Sequence, residues 1–166
     1  MLPGTDFEVT EKGTLSFNDY IIAPEPKVYT IEDVGVFYEK NNSSNEPLYY
    51  VYEGVSTEDD LPLFLDNNIR YDLTVLLPKQ IGKEYNKTIG HFHPKKDNNG
   101  DTFSEYSEVL MGEALFLLQK NNMSGEVEEI IAVEAKKGDK VYIPPNYGHI
   151  IINSSEEFLV VASLVA

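Results

Sequence analysis

The chain has 166 residues and 42 % hydrophobic content, which suits one domain with a buried core. Its 28 acidic and 13 basic residues give a formal charge of −15, which repels a phosphate backbone and argues against nucleic acid as a partner. Cysteine is absent, which removes disulfides and thiolate metal sites. No apolar run is long enough to span a bilayer, and the start, Met1-Leu2-Pro3-Gly4-Thr5-Asp6, lacks the basic and apolar regions of a secretory signal. No membrane association is expected, and the expected address is the cytoplasm.

In chain order, Thr30–Tyr38 reads as one or two helical turns, with Thr30 as N-cap and Asp33 three residues on, although a strand also suits it. Asn41–Asn45 is a polar loop. Leu48–Val55, rich in tyrosine and valine, and Asp72–Leu77, closed by Pro78, read as strands. Tyr85–His93 is a further β-branched and aromatic run. Asp97–Asp101 is polar and lacks the ligand alternation and closing glutamate of a calcium loop. Strands Glu105–Met111 and Ala114–Gln119 flank Gly112, and Asn121–Gly125 has hairpin composition. Val127–Val133 returns, Lys136-Lys137-Gly138-Asp139 turns, and Lys140–Ile143 leads to the corner Pro144-Pro145. Ile150–Ile152 and Phe158–Val165 are the last strands. Many short strands, little helix, no repeat and no linker predict an all-β sandwich or barrel over residues 1–166. Residues 1–46 are expected to flank a core of 47–166.

There is no G-x-x-x-x-G-K-[ST], no G-x-G-x-x-G between strand and helix, and no serine on a nucleophile elbow. What remains is histidine. All three, His91, His93 and His149, sit where one ion could gather them. Two residues apart on a strand, His91 and His93 project to one face with α-carbons about 6.6 Å apart, letting both imidazoles converge on an ion at about 2.0–2.2 Å. His149 follows a proline corner that fixes the direction of the chain after it. Glu105 opens the strand between them, adding a hard anionic oxygen. Lys79, Lys83, Lys87, Lys95 and Lys96 bracket the His-x-His run, either as a solvated face or as local attraction for an anion.

These residues resemble two cupin motifs. The first is His91-Phe92-His93, Glu105 and, after six residues, Gly112; the second is Gly138, Pro144, His149 and Asn153. The runs Thr74-Val75-Leu76-Leu77-Pro78, Ile81-Gly82-Lys83-Glu84 and Thr88-Ile89-Gly90-His91-Phe92-His93 are similar to the cupin-type glucose-6-phosphate isomerases of archaea and some bacteria. The likeness runs from about Pro47 to Asn153. It implies a cupin double-stranded β-helix (a jelly-roll barrel), a homodimer, and interconversion of glucose 6-phosphate and fructose 6-phosphate. It also implies His91, His93, Glu105 and His149 as ligands of one divalent metal ion, with Fe(II) favoured and Mn, Ni or Zn compatible with the donors. Tyr50, Thr74, Thr88 and Gly90 are the implied contacts of the phosphorylated sugar, and Glu105 and His149 the implied catalytic residues.

The chain departs from the family in three places. The gap from His93 to Glu105 is longer, so Glu108 competes for the ligand role. Ser107 stands where the family suggests tyrosine. The sequence ends at Ala162-Ser163-Leu164-Val165-Ala166, near where the family continues into an Asp-Ala-Gly-His-Asp-Tyr-like segment over the substrate. The expected chemistry moves hydrogen between C1 and C2 through a cis-enediol with Glu105 as base, a hydride shift being the other route. A dioxygenase-like metal cupin and a non-catalytic sugar-phosphate-binding cupin are the alternative functions.

Overall fold

Alternation of apolar and polar side chains along Ala114-Leu115-Phe116-Leu117-Leu118 buries Ala114, Phe116 and Leu118 on one face of a strand, and this period of two organises most of the chain. The computed structural model describes residues 6–39, 44–96 and 100–165. Most of the loops expected at Asn41–Asn45 and Asp97–Asp101 falls outside them.

The elements in order are β1 (Phe7–Val9), β2 (Leu15–Phe17), β3 (Ile21–Ile22), β4 (Lys27–Thr30), α1 (Ile31–Val34) with a 3-10 turn (Gly35–Phe37), β5 (Pro47–Tyr52), β6 (Ser56–Thr57) and α2 (Leu61–Asp66). They continue with β7 (Arg70–Leu76), β8 (Gln80–Ile81), β9 (Glu84–Tyr85), β10 (Glu105–Met111), β11 (Glu113–Asn121), β12 (Val127–Lys136), β13 (Lys140–Ile143), β14 (Tyr147–Asn153) and β15 (Leu159–Val165). A six-stranded antiparallel sheet, ordered β13-β10-β15-β7-β5-β4, packs on a three-stranded sheet ordered β12-β11-β14. The core between them joins Leu76, Val109, Ile143 and Val161 of the first to Phe116 and Ile151 of the second. This is a jelly-roll barrel.

The larger sheet is buried on its other face as well. Tyr50, Tyr71, Leu73 and Val160 point there and are covered by Leu15, Ile21 and Phe64 from the N-terminal strands and α2. β15 is accordingly apolar but for Ser163, whereas β7 alternates, with Tyr71, Leu73 and Val75 in this second core and Arg70, Asp72 and Thr74 on the opposite face. Residues before Pro47 do more than flank this sheet, because β4 is its edge strand.

Local chemistry fixes the ends of the helices. Asp33 accepts the Thr30 backbone N–H at 2.8 Å while its own N–H donates to Thr30 Oγ1 at 3.4 Å; this reciprocal cap makes the Thr30 segment helical. Sequence reading passed over α2. It ends with the Ile69 N–H on the Phe64 carbonyl at 2.9 Å and the Asn68 N–H on the Leu65 carbonyl at 3.3 Å, a Schellman closure with Asn68 at φ 53°. Among the described residues no helix is long and apolar enough to cross a membrane.

One expected strand is irregular. Beyond Tyr85 the chain runs beside β14 but pairs only at intervals, Lys87 opposite Ile152 and His91 opposite His149. Residues 88–90 therefore face only 150 and 151, one more residue on the histidine side, as in a bulge. Asn86, fully buried, donates to the Leu48 and Leu77 carbonyls at 2.6 and 2.9 Å and straps this segment to the large sheet.

A candidate metal centre in the barrel

Three separate stretches of backbone converge at one end of the barrel. His91 and His149 exchange backbone bonds, with the His149 N–H donating to the His91 carbonyl at 3.0 Å and the reverse bond at 3.3 Å. Pro144-Pro145 turns the chain into β14 through Asn146, at φ 68°. The corner is held to the residues before β10: the Asn146 N–H donates to Thr102 Oγ1 at 2.6 Å, and the Thr102 N–H returns to Asn146 Oδ1 at 3.1 Å. The same connection therefore sets His149 and Glu105, three residues after Thr102, against each other.

The side-chain nitrogens of His91, His93 and His149 that could bind an ion lie within 4.8 Å of one another. Glu105 Oε2 stands 3.1 Å from His93 Nε2 and 3.5 Å from His149 Nε2. Ligand atoms about 2.1 Å from a shared ion are about 3.0 Å apart at a right angle and about 3.4 Å apart at the tetrahedral angle. The three imidazoles could hold a divalent ion of nitrogen and oxygen preference, and Glu105 stands beside two of them. Backbone carbonyls orient two of the rings: His91 Nδ1 is 3.2 Å from the Ile89 carbonyl and His93 Nδ1 3.1 Å from that of Phe103. Since a carbonyl only accepts, each Nδ1 carries the proton and leaves Nε2 as the electron-pair donor.

Charge is arranged to match. Burial pushes the His149 imidazole down to about 4, so it is neutral at neutral pH, the state a metal requires. Burial raises the Glu105 carboxyl, but His93, the neighbouring His149 and the hydroxyls of Ser107 and Ser163 outweigh it and hold the group well below the usual carboxylate range. Those hydroxyls both donate to Glu105 Oε1, at 2.6 and 2.7 Å. One oxygen of Glu105 is thereby tied back and the other presented to the histidines. Ser107, where the family suggested tyrosine, is part of this clamp; Ser163 comes from the neighbouring strand. Glu108, the rival for the ligand role, points away and pairs with Lys140 at 3.2 Å.

A cavity of about 570 Å³ opens over the cluster. Thr74 and Thr88 line it as expected. Thr88 Oγ1 accepts the Ile151 N–H at 3.0 Å, so its own proton remains free to donate inward. Tyr50 does not reach the cavity. It lies on the far face of the large sheet, buried, with its hydroxyl donating to the Lys12 carbonyl at 3.3 Å. The reason is register: Val51 pairs with Thr74, so the residues of β5 sharing the face of Thr74 are Tyr49, Val51 and the following Glu53. Tyr49 lines the wall, stacked on Tyr29 with centroids 4.4 Å apart. Gly90 is also displaced. The bulge turns it toward Ile150, in a separate cleft with Phe92 and Gly148.

The lysines that bracket the histidines do not line the cavity either. Lys79 pairs with Glu46 at 3.0 Å, and Lys87 pairs with Glu84 at 2.6 Å. Arg70 and Asp72, which sequence reading passed over, do line it. Counting in twos back from Thr74 would have found both.

A jelly roll with three histidines and a glutamate turned into its cavity defines a cupin. Among solved structures, oxalate oxidase in complex with the substrate analogue glycolate shares the fold with a TM-score of 0.54 and 16 % identity, over 76 % of this chain and 55 % of that one. Vicilin of Corylus avellana (hazelnut) shares it at 0.52 and 17 %, over 77 % of this chain and 32 % of that one. The chain belongs to the glucose-6-phosphate isomerase (GPI) family, whose model matches residues 26–166. It is 32 % identical over 120 residues to the glucose-6-phosphate isomerase of Thermococcus gammatolerans, covering 72 % of this chain and 55 % of that protein. For the enzyme of Pyrococcus horikoshii the identity is 31 % over 112 residues, covering 68 % and 51 %. The chain thus spans about half the length of the curated relatives it matches.

Proposed function

We propose that this protein interconverts glucose 6-phosphate and fructose 6-phosphate with one divalent metal ion held by His91, His93, Glu105 and His149. The observation that carries the reading is the position of Glu105 Oε2, 3.1 and 3.5 Å from two imidazole nitrogens at the wall of a sugar-sized cavity. Fe(II) is the proposed ion, and Mn, Ni or Zn would suit the same donors. When bound, the ion supplies Lewis acidity to the oxygens on C1 and C2. Thr88 offers a hydroxyl proton to the sugar, Thr74 lines the wall beside it, and Tyr49 with Tyr29 closes one side against water.

The serine clamp bears on the route. To act as base, Glu105 would have to leave its place among the histidines or give up the bonds from Ser107 and Ser163. This favours transfer within the substrate over the cis-enediol with Glu105 as base. The C2–H bond breaks as the hydride reaches C1, and the proton on the C2 oxygen passes to the C1 oxygen. Glu105 and His149 then serve by holding the ion that would position the reacting oxygens.

Metal-loaded protein is expected to convert fructose 6-phosphate to glucose 6-phosphate in a dehydrogenase-coupled assay, and His91→Ala to abolish it. In deuterated water, product free of solvent label supports the direct route. Full metal loading without turnover would sink the isomerase reading. A homodimer is also proposed: β12 is an edge strand with Val127 and Ile130 exposed, a surface suited to pairing. Light scattering on the purified chain reads its mass directly.

A further inference from the structure

Arg70, the chain's sole arginine, is the only lysine or arginine among the described residues lining the cavity. Its guanidinium is held. Nε donates to both oxygens of Asp72 at 2.9 Å and Nη2 donates to Oδ2 at 2.8 Å, while Asp72 also accepts the Gly54 N–H at 2.9 Å. Asp72 is buried by this arrangement, whereas the Arg70 side chain stays 53 % exposed. Of the five N–H donors of a guanidinium, those on Nη1 and one on Nη2 remain free of Asp72. Asn68, at φ 53° in the closure of α2, lines the cavity two residues before.

The position is as informative as the charge. Arg70 pairs across the sheet with Val165, and Val165 with Glu105, so two strand spacings, roughly 10 Å between α-carbons, separate the guanidinium strand from the histidine cluster. A ligand with its reacting oxygens at the histidines would carry an anionic group at the far end of a six-carbon chain toward Arg70. The need for a cation there is real. Glu53, Asp72 and Glu105 all line the cavity, and the whole chain carries a charge of −15, so an anionic substrate enters against the field unless something fixed attracts it.

We propose that Arg70, oriented by Asp72 and flanked by Asn68, is the subsite for the phosphomonoester end of the substrate. A planar guanidinium held by one carboxylate presents its remaining donors to a second oxyanion without first losing rotamer freedom. The identity of the sugar rests on the isomerase reading; the preference for a phosphorylated ligand does not.

The test is calorimetric binding of glucitol 6-phosphate and glucitol, which lack the carbonyl and cannot isomerise, to the metal-loaded full chain. The wild type is expected to prefer the phosphorylated ligand at least tenfold, about 1.4 kcal/mol. Arg70→Gln alone leaves Asp72 buried without its partner, so Arg70→Gln with Asp72→Asn is measured alongside it. Both should lower affinity for glucitol 6-phosphate about tenfold or more and leave glucitol unchanged, with Arg70→Lys in between. No preference in the wild type, or a preference that survives in the double variant, overturns the subsite. A wild type that shows the preference but turns over no fructose 6-phosphate refutes the isomerase reading and leaves the subsite standing.

Discussion

Glu105 closes one side of the histidine cluster, and its surroundings explain how a carboxylate can sit 4 % exposed with no lysine or arginine paired to it among the described residues. Its Oε1 accepts from two hydroxyls, while its Oε2 faces two imidazole nitrogens. Ser107 and Ser163 pair directly across β10 and β15, so the two hydroxyls arrive from adjacent strands at one oxygen, and their own oxygens are 3.1 Å apart. Removing one hydroxyl should loosen the carboxylate without opening the core, because the change is a single small atom. Ser107→Ala is expected to weaken metal affinity about 10- to 100-fold, as loss of the hydrogen bonds that orient a metal ligand commonly does. Competition with a chelator of known affinity would show it, and unchanged affinity would remove the clamp from the account.

At the scale of elements, the turns decide where the site residues land. Gly112 joins β10 to β11 at φ 80°, and a Cβ there would lie 2.6 Å from the Phe158 carbonyl oxygen. Both the left-handed conformation and the close approach need glycine, which gives the last residue of the first cupin motif a purely mechanical reason. Gly112→Ala should therefore cost more than about 1–2 kcal/mol, read as a shift in the urea midpoint at constant slope. Asn153 ends the second motif in a similar role: it donates to the Leu76 and Glu157 carbonyls at 3.2 and 2.8 Å and accepts the Ser155 N–H at 3.1 Å, closing the connection between β14 and β15. The turn residues were legible in the sequence because their chemistry is local. The bulge before His91 was not, since it depends on pairing with β14, some sixty residues away.

Taken whole, the molecule draws its three histidines and Glu105 from separate parts of the chain, so an ion that binds them in the folded state and not the unfolded chain must stabilise the fold. At a free concentration one hundred times Kd that amounts to about 2.7 kcal/mol. Stripping metal with a chelator should then lower Tm by roughly 5–10 °C for a domain of this size, and restoring the ion should recover it. A melting temperature indifferent to metal would argue that the histidines hold none.

By itself the sequence indicated the β-class, most strand positions, the capping pair Thr30 and Asp33 of a segment it left open between helix and strand, and the candidate histidine and glutamate set. These follow from periodicity and turn chemistry, which act between near neighbours. Tertiary structure alone decided which side of each strand faces the cavity. It turned Tyr50 to the far core and Tyr49 inward, paired Lys79 and Lys87 with carboxylates away from the cavity, brought Arg70, Asp72 and Ser163 to its wall, and set Ser107 behind Glu105. The physical reason is register. In β5, apolar on both faces, pattern does not distinguish inside from outside, so only pairing with the next strand assigns a side.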